Sequence, residues 1–278
     1  MDYAIGDWSL PVSNSIQILG PRGNTLSVHA SGEGPTLFLL HGFPLDHRLW
    51  QFQLEGLCNR LHVVAVHLRG FGTSTLEETE FTLAELAGDV EFLRQHLAGD
   101  EAIWLAGLSM GGYVALEYWR QYSKHLRGLI LSNTKPTADD DSVKVTRRAM
   151  GQKALSQGTW AAVEPMFAKL LSEQTVASEP EKAALVKSMM ESTAPATISA
   201  AQNAMAQRRN FTELLPTIDV PTLVIAGQSD AIMPVAEAEL WASKIPNASF
   251  VVIPGTAHLS PLEDPTTFNQ TILKFLGA

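Results

Sequence analysis

A single cysteine, Cys58, stands in the whole chain of 278 residues, so an internal disulfide is excluded and no thiolate framework for a metal exists. Cys58 reads as a small buried hydrophobe. Long apolar runs are missing too, and none approaches the roughly 20 residues that a helix needs to cross a bilayer. The chain opens Met1-Asp2-Tyr3-Ala4-Ile5-Gly6-Asp7, with acids where a secretory signal needs a basic stretch and then an apolar core. A cytoplasmic protein is expected. Positive charge is scarce: 20 Lys and Arg face 29 Asp and Glu, for a formal net charge of -9. Nucleic acid and anionic membrane surfaces recruit clustered Lys and Arg, and the pairs Arg147-Arg148 and Arg208-Arg209 are too short to supply them. Neither is an expected partner.

What the chain has is apolar matter in regular order. With 45% hydrophobic and 18% charged residues it can bury a large core. Apolar runs at Thr36 to Leu40, His62 to Leu68, Ala102 to Leu108, Leu126 to Leu131, Thr222 to Ala226 and Ser249 to Ile253 each fit one buried strand. Helical spacing lies between them, as in Leu83, Leu86, Ala87, Val90, Phe92 and Leu93. That alternation predicts the α/β class, a mostly parallel central sheet flanked by helices. There is no internal repeat.

The alternation stops after Asn133 and resumes at Val220. The interval is rich in Ala, Met, Gln, Ser and Lys, with helical periodicity and no strand-like run. It reads as an inserted helical cap over residues 134–212, between core segments 1–133 and 213–278. Its apolar positions Met150, Leu155, Trp160, Met166, Phe167, Leu170 and Leu171 either pack the cap helices together or help line a pocket.

Gly107-Leu108-Ser109-Met110-Gly111 follows one of the apolar runs and leads into Gly112-Tyr113-Val114-Ala115-Leu116. A strand before and a helix after are the context of a nucleophile elbow, in which small neighbours let a serine sit on a sharp turn with its hydroxyl exposed. The helix dipole and free N–H groups then point to where an oxyanion would form. Serine is a poor nucleophile at neutral pH, so a base must take its proton and a third group must orient the base. His258 follows the last strand in Pro254-Gly255-Thr256-Ala257-His258 and is the best placed of eight histidines. Asp230 follows the strand Thr222 to Ala226 and is the candidate acid. Asn133 ends an earlier strand but is an amide and carries no charge, while Asp139, in the run Asp139-Asp140-Asp141, is a weak backup. The oxyanion donors would be the amide of Met110 and that of Phe43 in His41-Gly42-Phe43-Pro44, since Pro44 has no N–H.

The order Ser109, Asp230, His258 is that of α/β-hydrolases rather than of the chymotrypsin or subtilisin types. Taken with His41-Gly42-Phe43-Pro44, Arg69-Gly70-Phe71-Gly72, Gly107 to Gly112, Gly227-Gln228-Ser229-Asp230 and Gly255 to His258, it makes the chain resemble the α/β-hydrolase superfamily from about Leu26 to Leu276. Within that superfamily it looks most like capped esterases and lactonases of the 3-oxoadipate enol-lactonase type. His67 departs from the pattern, because related sequences commonly carry aspartate there, and the change should touch loop anchoring more than chemistry. The first 20 or so residues, with Pro11 and Pro21, suggest an extended arm.

The resemblance implies acyl transfer from a small-molecule ester or lactone to water, without a cofactor. Relatives of this fold that form alkyl-enzyme esters use aspartate at the elbow, and Ser109 is not aspartate. No metal is expected either: no His, Asp and Glu cluster has ligand spacing, and His62 and His67, five apart on a strand, point to opposite faces. Other readings share the fold. A carbon-carbon bond hydrolase of ring-cleavage products would need a cation for an enolate or carboxylate, and Arg208 and Arg209 read more simply as surface charges. A cofactor-free perhydrolase would use the same triad with peroxide. A ligand-binding or receptor protein would keep the fold with catalysis slow or lost.

Overall fold

The computed structural model describes residues 14–277. Pro11 lies outside them. Eight strands form one sheet: β1 (Asn14–Leu19), β2 (Thr25–Ser31), β3 (Thr36–Leu40), β4 (His62–His67), β5 (Ile103–Leu108), β6 (Leu126–Ser132), β7 (Thr222–Gly227) and β8 (Ala248–Ile253). Their order is β1-β2-β4-β3-β5-β6-β7-β8, in which β1 with β2 and β2 with β4 pair antiparallel and every pairing from β4 onward is parallel. The apolar runs coincide with the last six strands to within a residue at each end.

Burial explains why central strands such as β3 and β7 were visible and β1 was not. All five residues of β3 are buried, as are all six of β7, because parallel strands are covered on both faces and so read as largely apolar runs. Each such Leu, Ile or Val contributes roughly 1.5–3 kcal/mol of burial. Strand β1 instead alternates exposed and half-buried positions along Asn14-Ser15-Ile16-Gln17-Ile18-Leu19, the pattern of an edge. The expected arm is thus, from Asn14 on, a strand paired to β2 through a turn at Pro21 closed by the Gly20 amide on the Asn24 carbonyl, 2.7 Å.

The helices of the core are α1 (Gln51–Leu57), α2 (Leu83–Leu97) and α3 (Met110–Tyr122). Between β6 and β7 come α4 (Asp141–Gln157), α5 (Thr159–Phe167), α6 (Glu173–Ser178), α7 (Pro180–Ser192) and α8 (Pro195–Ala206), with no strand among them. The chain ends through α9 (Val235–Ala242), α10 (Ser260–Glu263) and α11 (Pro265–Leu276). The strand order reverses at β3, which lies between β4 and β5. Right-handed crossovers then place α1 on one face and α2 and α3 on the other. Helix α2 starts where Thr82 and Glu85 form a reciprocal capping box. No described helix is long and apolar enough to cross a membrane.

The five inserted helices are tied to the core by specific bonds. Thr197 Oγ1 donates to the Gly70 carbonyl at 2.9 Å, Thr193 Oγ1 to that of Pro44 at 3.2 Å, and Lys182 Nζ to that of Glu263 at 3.1 Å. Leu170 and Leu171 are buried, whereas Leu155, expected on an apolar face, is 53% exposed on α4. Trp160 and Phe167 stack edge to face on each other within α5.

Candidate active site

Strands β3, β5, β6, β7 and β8 run parallel, so their carboxyl ends share one edge of the sheet, the edge at which open α/β sheets bind ligands. Ser109 stands at the end of β5 with φ 54° and ψ -113°, a conformation that L-residues avoid and that persists only where surroundings enforce it. The enforcement is visible. A Cβ at Gly107 would collide with the Gly111 carbonyl and one at Gly111 with that of Leu40, so the strand and helix cross at a distance only glycine permits. The Ser109 amide bonds the Ser132 carbonyl at 3.0 Å, and Thr134 Oγ1 holds the Ser109 carbonyl at 2.8 Å. Helix α3 begins at the next residue, so the Met110 and Gly111 amides have no intrahelical acceptor.

Asp230 and His258 meet. His258 Nδ1 lies 2.8 Å from Asp230 Oδ2, both side chains buried. The other carboxylate oxygen, Oδ1, accepts the amides of Ile232 at 2.8 Å and Met233 at 3.0 Å, the turn chemistry of an aspartate that opens a loop. Burial pushes the Asp230 carboxyl up, but the bonds from His258, Asn133 and Met233 outweigh it, and the group is held below the ordinary carboxylate value. The loop carrying His258 is fixed by Glu263, whose Oε1 accepts the Ala257 amide at 2.8 Å, and by the Leu170 carbonyl, which accepts the His258 amide at 3.2 Å.

Sequence reasoning passed over Asn133 as an uncharged bystander, and the structure gives it a role. Its Nδ2 donates to Asp230 Oδ2 at 2.9 Å and to the Ala257 carbonyl at 3.1 Å. Its backbone is left-handed, φ 47°, which Asn tolerates better than most residues. An Asn directly after a buried strand at the ligand edge was the available signal.

On the other side of Ser109 the loop after β3 carries Phe43. Fully buried His41 pins that loop: its Nε2 accepts the Leu68 amide at 3.1 Å, leaving Nδ1–H to donate to the Gly42 carbonyl at 2.9 Å. Burial, against the pull of that carbonyl, drops the His41 imidazole to about 4, so it stays neutral.

Ser109, His258 and Phe43 line one cavity of about 520 Å³. Met150 of α4 and Met166 of α5 line it from the inserted helices, as the sequence reading allowed, together with Gln202 and Met205 of α8. Three cationic side chains also reach it, Lys135, Arg147 and Lys169. Asp139 is the one acid on the wall, and it does not approach His258: its Oδ2 is bound by Arg147 and by Arg208. Both arginines hold its carboxyl low against a desolvation that pushes up. Its candidacy as an alternative to Asp230 therefore falls. Arg208, read as a surface charge, is instead buried, with its guanidinium 4.4 Å from the Tyr113 ring centre. Arg209 is half exposed and fits the surface reading.

Among the described residues one group of three metal-capable side chains converges, His29, His47 and His67, and none of them lines this cavity. They come from distant segments, which is why local spacing gave no sign of them.

A model of the alpha/beta hydrolase fold matches residues 35–265. The chain belongs to that family and is a hydrolytic enzyme. It is 30% identical to a pimeloyl-[acyl-carrier protein] methyl ester esterase of Yersinia enterocolitica, over 88% of this chain and 94% of the relative. It is 27% identical to 3-oxoadipate enol-lactonase 1 of Acinetobacter baylyi, over 95% of this chain and 97% of the other. Among solved structures, a thermophilic esterase from Thermogutta terrifontis, with malate bound, superposes with a TM-score of 0.92 at 38% identity, covering 95% of this chain and 98% of that one. The expected likeness to esterases and lactonases is found.

Proposed function

We propose that the chain is a serine hydrolase that cleaves a carboxylic ester or lactone of a small molecule through an acyl-enzyme intermediate. The observation that carries this reading is that Ser109 and His258 open onto one cavity while Asp230 holds the other nitrogen of His258. With Nδ1–H committed to Asp230, Nε2 is the nitrogen free to take the Ser109 proton. The alkoxide attacks the carbonyl carbon, and the Phe43 and Met110 amides receive the tetrahedral oxyanion. Protonated His258 then gives its proton to the leaving alcohol. Water, deprotonated by His258, attacks the acyl-enzyme and releases the acid and Ser109. Asp230, held ionised, stabilises the imidazolium in both halves. In this reading the five helices α4 to α8 act as a cap that roofs the serine.

The cavity wall narrows the substrate class. Asp139 is already neutralised by two arginines, and neither Lys135 nor Lys169 has an ion-pair partner among the described residues. An ester or lactone that also carries a carboxylate matches that surplus of positive charge.

Treatment with a fluorophosphonate followed by peptide mass mapping tests the nucleophile without knowledge of the substrate. One adduct per chain on Ser109, absent in a folded Ser109→Ala variant that no longer hydrolyses esters, is the expected result. Hydrolysis at the original rate by Ser109→Ala would end the proposal.

A further inference from the structure

The geometry points to a second site: we infer that His29, His47 and His67 form a binding site for a divalent first-row cation of the Zn2+ type. One donor nitrogen from each lies within 4.8 Å of the others. Imidazole nitrogens favour the borderline ions of that row over Mg2+ or Ca2+, and three of them leave a fourth position for solvent.

The sheet register places two of the three. In the antiparallel pairing of β2 with β4, Ser27 faces His67 and His29 faces Ala65, so His29 and His67 are diagonal neighbours on one face. Their ring centres are 5.5 Å apart. His47 enters from the short 3-10 turn His47–Trp50 after β3, 3.7 Å from the His29 ring and 4.3 Å from that of His67.

These distances can be set against a bound ion. Three nitrogens at about 2.0–2.1 Å from a tetrahedral centre lie about 3.4 Å apart, with ring centres about 5 Å apart. His29 and His67 already have that separation. His47 lies nearly flat on His29, at 8° between planes, and must slide outward by on the order of 1 Å to complete the set. It is the side chain best able to do so, being 19% exposed on a single short turn.

The surroundings favour a ligand. His67 Nε2 is buried without a hydrogen-bond partner, a donor or acceptor left unused. His47 Nδ1 is likewise unbonded and lies 3.7 Å from Asp46 Oδ1, so a His47 bound through Nε2 would present its N–H to a carboxylate, the usual orienting contact of a metal histidine. Arg48 shares that carboxylate at 2.7 Å and fixes it in place. One contact works against the site: the Thr73 amide, 3.4 Å from His67 Nδ1, loses its acceptor when that nitrogen carries the hydrogen.

The departure at His67 thus gains a meaning that loop anchoring alone does not supply. Because the three ligands come from β2, β4 and the loop after β3, an ion there would tie those segments together and raise the melting temperature.

The test uses the full chain without a histidine tag, stripped with chelator and titrated calorimetrically with Zn2+, with Co2+ absorbance as a second readout. The expected result is one equivalent bound with a higher Tm, and affinity at least about tenfold weaker in both His47→Gln and His67→Gln. His258→Gln should bind as the parent does, which separates this site from the active-site histidine. His47 sits at the surface end of the cluster, so its variant remains informative if the His67 variant fails to fold. Absence of binding, or binding that survives His47→Gln, would overturn the inference.

Discussion

Asn133 and His258 share one acceptor: the Asn133 amide and the His258 ring both donate to Asp230 Oδ2, at 2.9 and 2.8 Å. The Asn133 amide cannot rotate away, because its own oxygen accepts the hydroxyls of Ser132 at 2.8 Å and Ser260 at 3.1 Å. Asp230 is therefore oriented by a neutral donor that adds no charge of its own.

That neutrality is testable with Asn133→Asp, which keeps a residue type tolerant of the left-handed backbone. A second carboxylate beside Asp230 stabilises the protonated form of His258. The acid limb of kcat/KM should move to higher pH by roughly one unit, and kcat at neutral pH should fall about tenfold. The measurement is a pH-rate profile on an activated ester. A lower rate with an unmoved acid limb would mean that Asn133 serves packing alone.

Legibility in the sequence followed burial and range. Strands such as Thr36–Leu40 are buried at every position and largely apolar, and announced themselves, and Ser109, Asp230 and His258 could be chosen because each follows an apolar run. Asn14–Leu19 did not, since an edge strand of mixed polarity has too little contrast to read. Arg208 was misread for a related reason. Its partner Asp139 is 69 residues away, and only the folded insertion brings the two together. His29 and His67 are likewise brought together by strand register and His47 by the turn after β3, which a spacing rule cannot see.

Cation placement gives a prediction about substrate. Lys135 lies three residues after the end of β6 and is half-buried, and burial with the nearby Arg208 charge pulls its ammonium below the ordinary value. A carboxylate bound beside it would relieve that repulsion. Lys135→Met should raise KM about tenfold for an ester bearing a distal carboxylate, the loss of one charged hydrogen bond, and leave KM for a neutral analogue unchanged. Equal effects on both substrates would remove the carboxylate from the reading.

Buried neutral histidines give a pH dependence of stability. His41 and His47 are held at about 4 and His67 at about 3, against an ordinary 6.5, with burial the first cause in each and Asp46 opposing it. The unfolded chain therefore binds more protons than the native one below about pH 6.5. Their contribution is fully present above that value and is lost as pH falls toward 4 and then 3. In metal-free protein Tm should drop across this window, and His67→Gln should show a shallower drop. Parallel curves for the two proteins would assign the acid sensitivity to other groups.

Arg208 provides the sharpest test of the buried charge network. Its side chain is 2% exposed, its Nη1 lies 2.5 Å from Asp139 Oδ2, and it also donates to the carbonyls of Thr137 and Met205. Truncation to Met removes the cation but leaves a carboxylate whose Oδ1 already has no partner, with Arg147 alone to compensate. Breaking one side of a buried pair costs about 3–5 kcal/mol, equivalent to a Tm lower by roughly 10 °C in a chain of this size. Removing the orphaned charge as well, in Asp139→Asn with Arg208→Met, should recover part of that loss, because an amide is far less costly to bury than an unpaired carboxylate. Chemical denaturation of the two single variants and the double one closes the cycle. Strict additivity, to within about 0.5 kcal/mol, would show that the two residues are not energetically coupled despite their contact.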